Sequence, residues 1–516
     1  MLKIHDFERT RSIYEQIPDQ FNLAEYLLLR NSHQPHKTAF YHARRSLSYG
    51  ELQQLVPKFA GMLQASGCRR EERVVILLPD SPEFVVAYLG ALWNGNIAVL
   101  VNEAVALTDI AYMIDNSRAS IMISTTSWKE KLNGFDLHNL KTWVLIEDNL
   151  LDGLSNHLGT EACATSKDEP AFWAYTSGST GRPKGVIHAH YSPIVACVRY
   201  ASATLGLTER DIIYSAPPMA FTYGLGTSLY MPMFIGASSV LAETTETFGY
   251  IEMIHQFNPT VFFGIPNTYA TILAVEGISP LNATTLRLCI SAGEQLPPVV
   301  SKKWHEKFNL AICEGIGTTE STHIFISNRP DDCVPGSTGK PVEGYTITLN
   351  NGLLQITGEG MMLGYWNRLP ETQDALHGNT LITADLYEHD AQGNYFFLGR
   401  KDDLLKVGGM WIASNTIEHA IVSLPGIKEA AIIVIPSRII PNTQELACYL
   451  VMEEPTDPRA ELITKLKRHL NQLFKRYQIP KFFYFMPILP RTSTGKIDRR
   501  ALQALYKQQS EVSTCN

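Results

Sequence analysis

The stretch "YTSGSTGRPKGV", Tyr175–Val186, decides how this chain is read. Three glycines, four serine or threonine hydroxyls, an arginine and a lysine share its twelve positions. Glycine lets backbone N–H groups approach an anion closely, hydroxyls add donors, and a lysine supplies a point charge. The composition is that of a phosphate cradle built from Thr176, Ser177, Gly178, Ser179, Thr180, Gly181 and Lys184. The widespread Walker loop places Gly-Lys-Ser/Thr after a glycine and four further residues. Counted from Gly178 that register reaches Pro183, and from Gly181 it reaches Val186. This loop therefore serves a different phosphate chemistry. A plain surface turn between "AFWAY" and "VIHAH" is the ordinary alternative, but turns rarely gather so many hydroxyls before Pro-Lys-Gly.

On either side of the loop, apolar residues fall into short runs. "RVVILLP" (Arg73–Pro79) reads as a buried strand, and "SPEFVVAYLGALW" then opens a helix with Ser81 as N-cap and Pro82 at its first position. "NIAVLV", "SIMIS" and "TWVLIE" read as further buried strands. Strand–helix alternation predicts layered α/β structure with mainly parallel sheets. A boundary is expected near "LGRKDDLLKVGG", after the polar, turn-rich "ADLYEHDAQGNYFFLGR". Beyond it, "AAIIVIP" and "LACYLVM" read as strands, followed by a helix within Pro458–Tyr477 with Asp457 as N-cap. Leu462, Leu466, Leu470 and Leu473 give that helix its apolar face, with Lys465, Lys467, Arg468, Lys475 and Arg476 on a solvated one. This last part reads as a separate, mobile cap.

A chain of 516 residues exceeds one compact core. It is 45% apolar and 18% charged, as soluble globular proteins are. Its 44 Lys and Arg against 51 Asp and Glu give a net charge of −7, which excludes a dedicated nucleic-acid binder while allowing a local basic tunnel for a phosphorylated cofactor. The opening "MLKIHDFERTRSIYEQ" is charged throughout and shows no cleavage signal. No apolar run reaches the ~20 residues of a membrane span. Eight singly scattered cysteines make neither a zinc framework nor a disulfide scaffold, so a cytoplasmic location is expected. His188 and His190 lack nearby cysteine or acidic ligands in the sequence, and metal binding there is not expected. There is no Gly-x-Ser-x-Gly elbow of a hydrolase.

The loop resembles the phosphate-binding signature of the adenylate-forming superfamily, which includes acyl- and aryl-CoA synthetases, peptide-synthetase adenylation domains and luciferases. Further segments are similar to that family in its own order. "SAGEQLP" (Ser291–Pro297) resembles the adenine-side turn, implying Gly293, Glu294 and Gln295 near the base. "EGIGTTE" (Glu314–Glu320) resembles the next segment, implying Thr319 at the α-phosphate and Glu320 as the Mg²⁺ ligand. "ADLYEHDAQGNYFFLGRKDD" resembles the ribose and hinge segment, implying Asp385 on the ribose hydroxyls, Arg400 steadying that corner and Asp402 as hinge. Ala384 stands where the family usually has glycine. "PRTSTGKIDRRAL" resembles the C-terminal catalytic loop and makes Lys496 the catalytic lysine. "VGGMWIASNTIEHA" implies a pantetheine tunnel passing Gly408 and Gly409. The fold so implied is α/β: a large N-terminal domain (1–400) of layered subdomains plus a β-barrel-like lobe, with a small mobile α+β C-terminal domain (401–516).

Three segments, Phe221–Leu241, Val261–Ala270 and Ile316–Pro330, look most like benzoate-CoA and related aryl-CoA ligases. The resemblance puts Thr222, Tyr223, Gly224, His323 and Ile324 in the acid pocket, where Tyr223 offers a ring edge and Ile324 an apolar wall. The Thr222 hydroxyl points to a hydroxy- or amino-substituted ring. The implied reaction uses ATP, Mg²⁺ and coenzyme A: an aryl carboxylate takes AMP, then yields its acyl group to the thiol. No general base is needed, because the attacking carboxylate is already ionised. An aryl-AMP ligase that loads a carrier protein, a medium- or long-chain acyl-CoA synthetase and a non-catalytic nucleotide binder remain the alternatives. A monomer or homodimer is expected, with no nucleic-acid partner.

Overall fold

The computed structural model describes residues 7–146, 150–176, 182–242, 247–275, 285–401, 404–407, 410–437, 444–453, 459–491 and 497–512. They form two compact units. The first comprises Met1–Thr348, Gln355–Thr383 and His389–Phe396, and the second Leu349–Leu354, Ala384–Glu388 and Phe397–Asn516.

The first unit contains a seven-stranded sheet in the order Gly364–Tyr365, Lys184–Ala189, Pro170–Thr176, Ile97–Leu100, Arg73–Leu77, Ile121–Ser124, Thr142–Leu145. From Pro170–Thr176 onward neighbouring strands are parallel, and the first two strands add an antiparallel edge. Parallel strands are covered on both faces, which is why they read as unbroken Val/Ile/Leu runs. Arg73–Leu77 is buried at every position but the first, and it ends before Pro79. The Ser81 hydroxyl accepts from the Phe84 N–H at 3.2 Å, and Pro82 occupies the first turn, as expected. Every residue of helix Pro82–Trp93 except Glu83 is buried, so this helix is core on all sides.

A second, nine-stranded sheet runs Lys340–Pro341, Ile324–Ser327, Ile312–Gly317, Leu288–Ser291, Val261–Gly264, Ile212–Ser215, Ser238–Val240, Thr38–Tyr41, Leu47–Ser48. The six strands from Ile312–Gly317 to Thr38–Tyr41 are parallel. At one edge Ile312–Gly317 turns back antiparallel into Ile324–Ser327, with a register shift between Ile316 and Gly317. Ligands of open parallel sheets gather beyond the carboxyl ends of the strands. In this sheet those ends include Gly264, Ser291 and Gly317.

The strands Thr346–Asn350 and Leu353–Thr357 are joined at Asn351 (φ 50°) and Gly352 (φ 82°). Two consecutive positive φ angles are the signature of a tight hairpin turn, and Asn-Gly is the pair that adopts them at least cost. In the second unit, strands Ile427–Pro436, Gln444–Met452 and Phe482–Phe485 form one sheet in chain order. Helices Ser414–Val422, Arg459–Leu473 and Arg499–Val512 belong to the same unit. Leu466 and Leu470 are fully buried, as the periodicity requires. The helix spans Arg459–Leu473, within the expected bounds, but Leu473, expected on its apolar face, is 57% exposed. Phe474 and Tyr477 pack against the apolar cluster of this unit, and Lys475 (φ −73°, ψ 151°) leaves the helical region between them. Burial of two rings outweighs continuation of the helix. The expected N-cap Asp457 and Pro458 lie outside the described residues.

Candidate active site

Thr176 stands opposite Lys184 across the antiparallel pair Pro170–Thr176 and Lys184–Ala189. The cradle is thus the connection of a β-hairpin, whereas a Walker loop leads from a strand into a helix. That difference is why its register fails the Walker pattern. Ser177, Gly178, Ser179, Thr180 and Gly181 lie outside the described residues. Tyr175 fastens the strand end: its hydroxyl donates to the Met113 carbonyl at 3.1 Å and to Asn116 Oδ1 at 2.9 Å.

Lys184 and Glu320 are brought together by a residue that sequence reading passed over. Tyr365 sits on the edge strand paired with Lys184–Ala189, opposite Val186. The Lys184 ammonium lies 4.2 Å from the centre of its ring, and its hydroxyl donates to Glu320 Oε1 at 2.6 Å. One tyrosine therefore offers a π-face to the cation and a proton to the carboxylate. Glu320 is a hard oxygen donor of the kind Mg²⁺ takes. Among the described residues no group of three or more His, Cys, Asp or Glu side chains is gathered as a metal site.

Thr319–Ser321 forms a single 3₁₀ turn capped by Thr318, whose hydroxyl accepts from the Ser321 N–H at 3.2 Å. Thr322 follows at φ 68°, and His323 and Ile324 then enter the returning strand. His323 is 4% exposed, and neither ring nitrogen has a hydrogen-bond partner. Its ring centroid lies 5.3 Å from Tyr200 and 5.7 Å from Tyr223. Burial pushes its pKa down to about 3, so the imidazole is neutral near pH 7. Tyr223 donates to the Gly264 carbonyl at 3.3 Å and meets Phe263 edge-on. Thr222 and Ile324 are buried. Gly224 leaves no room for a side chain, because a Cβ would run into the Pro217 and Pro218 carbonyls. Gly226 likewise yields to His323, since a Cβ there would lie 2.6 Å from its Cδ2. Tyr200 and Gly226 both belong to π-helical turns, a wide-turn geometry frequent at functional sites.

In the turn expected to meet the adenine, Gly293 adopts φ 88°, a conformation that suits glycine, while Glu294 is exposed and Gln295 half-buried. The Leu296 N–H donates to Glu314 Oε1 at 3.2 Å, whereas Glu314 Oε2 is buried without a partner. Burial pushes the Glu314 carboxyl up to about 8. Asp385 and Arg400 lie in the second unit, where Arg400 Nε and Asp385 Oδ1 are 3.3 Å apart. Asp402, Gly408, Gly409 and Lys496 lie outside the described residues. Sequence reading missed Tyr365, Tyr200, Gly226 and Glu314. Of these Glu314 and Gly226 fell inside segments already singled out, and Tyr365 and Tyr200 carry no local signal.

Residues 29–366 match the AMP-binding enzyme family, and residues 416–496 match the AMP-binding enzyme C-terminal domain. The chain belongs to this family of adenylate-forming enzymes. It is 34% identical over 497 residues to a 4-hydroxybenzoate-CoA/benzoate-CoA ligase of Rhodopseudomonas palustris, covering 91% of each chain. It is 32% identical over 508 residues to an anthranilate-CoA ligase of Pseudomonas aeruginosa, covering 94% of this chain and 96% of that one. Among solved structures, an anthranilate-CoA ligase in complex with anthranoyl-AMP superposes with a TM-score of 0.89 at 30% identity, covering 97% of this chain and 99% of that one. The large α/β N-terminal part and small C-terminal part expected from the sequence are the architecture of these enzymes. Among the described residues no helix is long and apolar enough to cross a membrane.

Proposed function

We propose that this chain is an AMP-forming aryl-CoA ligase, which activates a benzoate-like acid with ATP and passes the acyl group to coenzyme A. The observation that carries the aryl reading is His323, a buried imidazole between Tyr200 and Tyr223 with both nitrogens unpaired. A buried polar group without a partner is costly, and a ligand that completes it recovers that cost. A flat acid lying against Tyr223 would do so through its carboxylate or a ring substituent. The three relatives named above, aryl-CoA ligases by name, support the same substrate class. The buried Thr222 hydroxyl favours a hydroxy- or amino-substituted ring.

In the first step a carboxylate oxygen bonds to the α-phosphorus as the bond to the pyrophosphate oxygen breaks. In the second, the thiol sulfur bonds to the acyl carbon, AMP departs and the thiol proton passes to solvent. Two anions must be brought together in the first step, which calls for cations and oriented donors. Lys184 and the loop from Thr176 to Gly181 serve the departing pyrophosphate, Thr319 the α-phosphate, and Lys496 the attacking carboxylate. Glu320 would hold Mg²⁺, which neutralises charge on the phosphates. Gly293, Glu294 and Gln295 serve the adenine, and Asp385 with Arg400 the ribose. Domain 401–516 turns on domain 1–400 about Asp402 between the steps, and pantetheine passes Gly408 and Gly409.

Pyrophosphate release across a panel of benzoates and fatty acids, with and without coenzyme A, tests the proposal. Release with hydroxy- or aminobenzoates and thioester formation with coenzyme A are expected. Release with fatty acids alone overturns the aryl reading. An adenylate that coenzyme A fails to discharge supports loading of a carrier protein instead.

A further inference from the structure

One buried histidine behind the Thr319–Glu320 turn has no part in the reaction as drawn. His188 lies on strand Lys184–Ala189, is fully buried and stacks on Phe172 with centroids 5.1 Å apart. Its Nε2 is 2.7 Å from the Thr319 carbonyl oxygen, and its Nδ1 is 3.1 Å from Thr322 Oγ1. The Thr322 hydroxyl in turn donates to the Gly360 carbonyl at 2.6 Å. Thr322 itself sits at φ 68°, ψ −47°, and the His323 N–H donates to the Ser321 carbonyl at 2.8 Å. This is a three-residue turn of the hand that L-residues avoid, and a β-branched residue is strained there. Such strain persists only where the surroundings over-determine the conformation. Here they do so through the two contacts of the threonine hydroxyl.

We propose that His188 is a positioning residue for adenylation, which together with the strained Thr322 turn holds Thr319 and Glu320 on one side and His323 on the other. The assignment rests on the ligase reading above. Glu320 and His323 flank the turn, so its handedness sets the direction of both side chains at once. Tyr365 fixes the far end of Glu320, and the missing side chain of Gly226 leaves the space that the His323 ring fills. His188 supplies the remaining constraint from the phosphate-loop strand. Its Nε2 carries the proton of the neutral ring, because the Thr319 carbonyl can only accept. Nδ1 is then an acceptor, sharing the single Thr322 hydroxyl proton with the Gly360 carbonyl. Burial, which pushes the His188 pKa down to about 4, keeps the ring in this neutral form near pH 7.

Two variant pairs test this, read by pyrophosphate release and thermal melting of the full chain. His188→Phe keeps the ring stack and loses both hydrogen bonds, whereas His188→Gln restores a donor toward Thr319. The phenylalanine variant should lose about 10- to 100-fold in adenylation kcat, the usual effect of removing a group that orients a ligand from behind. The KM for ATP should change less, and the glutamine variant should recover part of the rate. Equal rates in His188→Phe and wild type overturn the proposal. Thr322→Gly and Thr322→Ala both delete the hydroxyl, but only glycine accepts the positive φ without strain. Glycine should therefore melt above alanine, the reverse of their ordinary order. It should nonetheless adenylate more slowly, because the turn is no longer held. Activity that simply follows melting temperature across the pair means a purely structural role and refutes positioning. If the wild type releases no pyrophosphate with any aryl acid, the ligase reading fails. The melting order of the pair then still decides whether the turn is strained.

Discussion

Replacing Tyr365 with phenylalanine removes one oxygen from the link between Lys184 and Glu320 and leaves the ring beneath the Lys184 ammonium. The lost bond is an O–H donating to a carboxylate at 2.6 Å, the short, charge-assisted type. Hydrogen bonds to charged groups contribute about 1.5–3 kcal/mol. Glu320 is only half-buried, so water compensates in part and the lower end applies, about 1.5 kcal/mol. At about 1.4 kcal/mol per decade, adenylation kcat should fall roughly tenfold. Unfolding free energy should fall by no more than the same amount, about 1.5 kcal/mol. Tyr365→Leu also removes the π-face, and a cation–π contact of about 0.5–1 kcal/mol adds a further two- to fivefold loss. The assay is the initial rate of pyrophosphate release at saturating aryl acid and ATP, across a Mg²⁺ titration. Thioester formation from supplied acyl-AMP serves as the control and should be nearly unaffected. Wild-type rates in Tyr365→Phe at every Mg²⁺ concentration would refute the reasoning, as would equal losses in both half-reactions.

Three further outcomes follow from single features. The Glu314 carboxyl is pushed up to about 8 by burial, against an ordinary value near 4.3. Its contribution to stability is full below the ordinary value and is lost as pH rises through about 8. Glu314→Gln should therefore melt progressively above wild type between about pH 4.5 and 8 in differential scanning calorimetry. A constant gap would contradict the assignment. Gly224→Ala drives a Cβ into the Pro217 and Pro218 carbonyls, and the Tyr223 loop must shift. A rise in aryl-acid KM of more than about tenfold is expected, in line with the cost of displacing a positioning element. Burial pushes His188, His190 and His323 down to about 4, 3 and 3, so their contribution is present above an ordinary value near 6.5 and lost as pH falls toward 4. His190→Asn keeps an acceptor for the Leu23 N–H, which His190 Nδ1 now receives at 3.2 Å. It should lower the slope of unfolding free energy between pH 6 and 4 by up to about 1.4 kcal/mol per pH unit. An unchanged slope in urea titrations would refute it.

The family was legible because each of its chemical tasks is written in a short contiguous stretch. Phosphate binding needs backbone donors and a lysine within one loop, and Tyr175–Val186 states that locally. The parallel core was legible for a similar reason, since strands covered on both faces read as mainly apolar runs, as Val74–Leu77 does. The helix of the second unit was legible in its approximate bounds and in its apolar face, except at Leu473. Its stop at Leu473 is set by where Phe474 and Tyr477 find their core.

The interior of the site was not legible, because its decisive contacts join residues remote in sequence. His188 meets the Thr319 carbonyl across 131 positions, and Tyr365 meets Glu320 across 45. These pairings depend on strand register and on the path of the turn after Gly317, which no periodicity of residue types encodes. His188 carried no expected role until its strand placed it against the Thr319 carbonyl, and nothing in the sequence marks Tyr365. The positive φ of Thr322 is the clearest case: local preference opposes it, and only the surrounding hydrogen bonds hold it. Local chemistry thus named the reaction, while the packing of distant strands aims the groups that would carry it out.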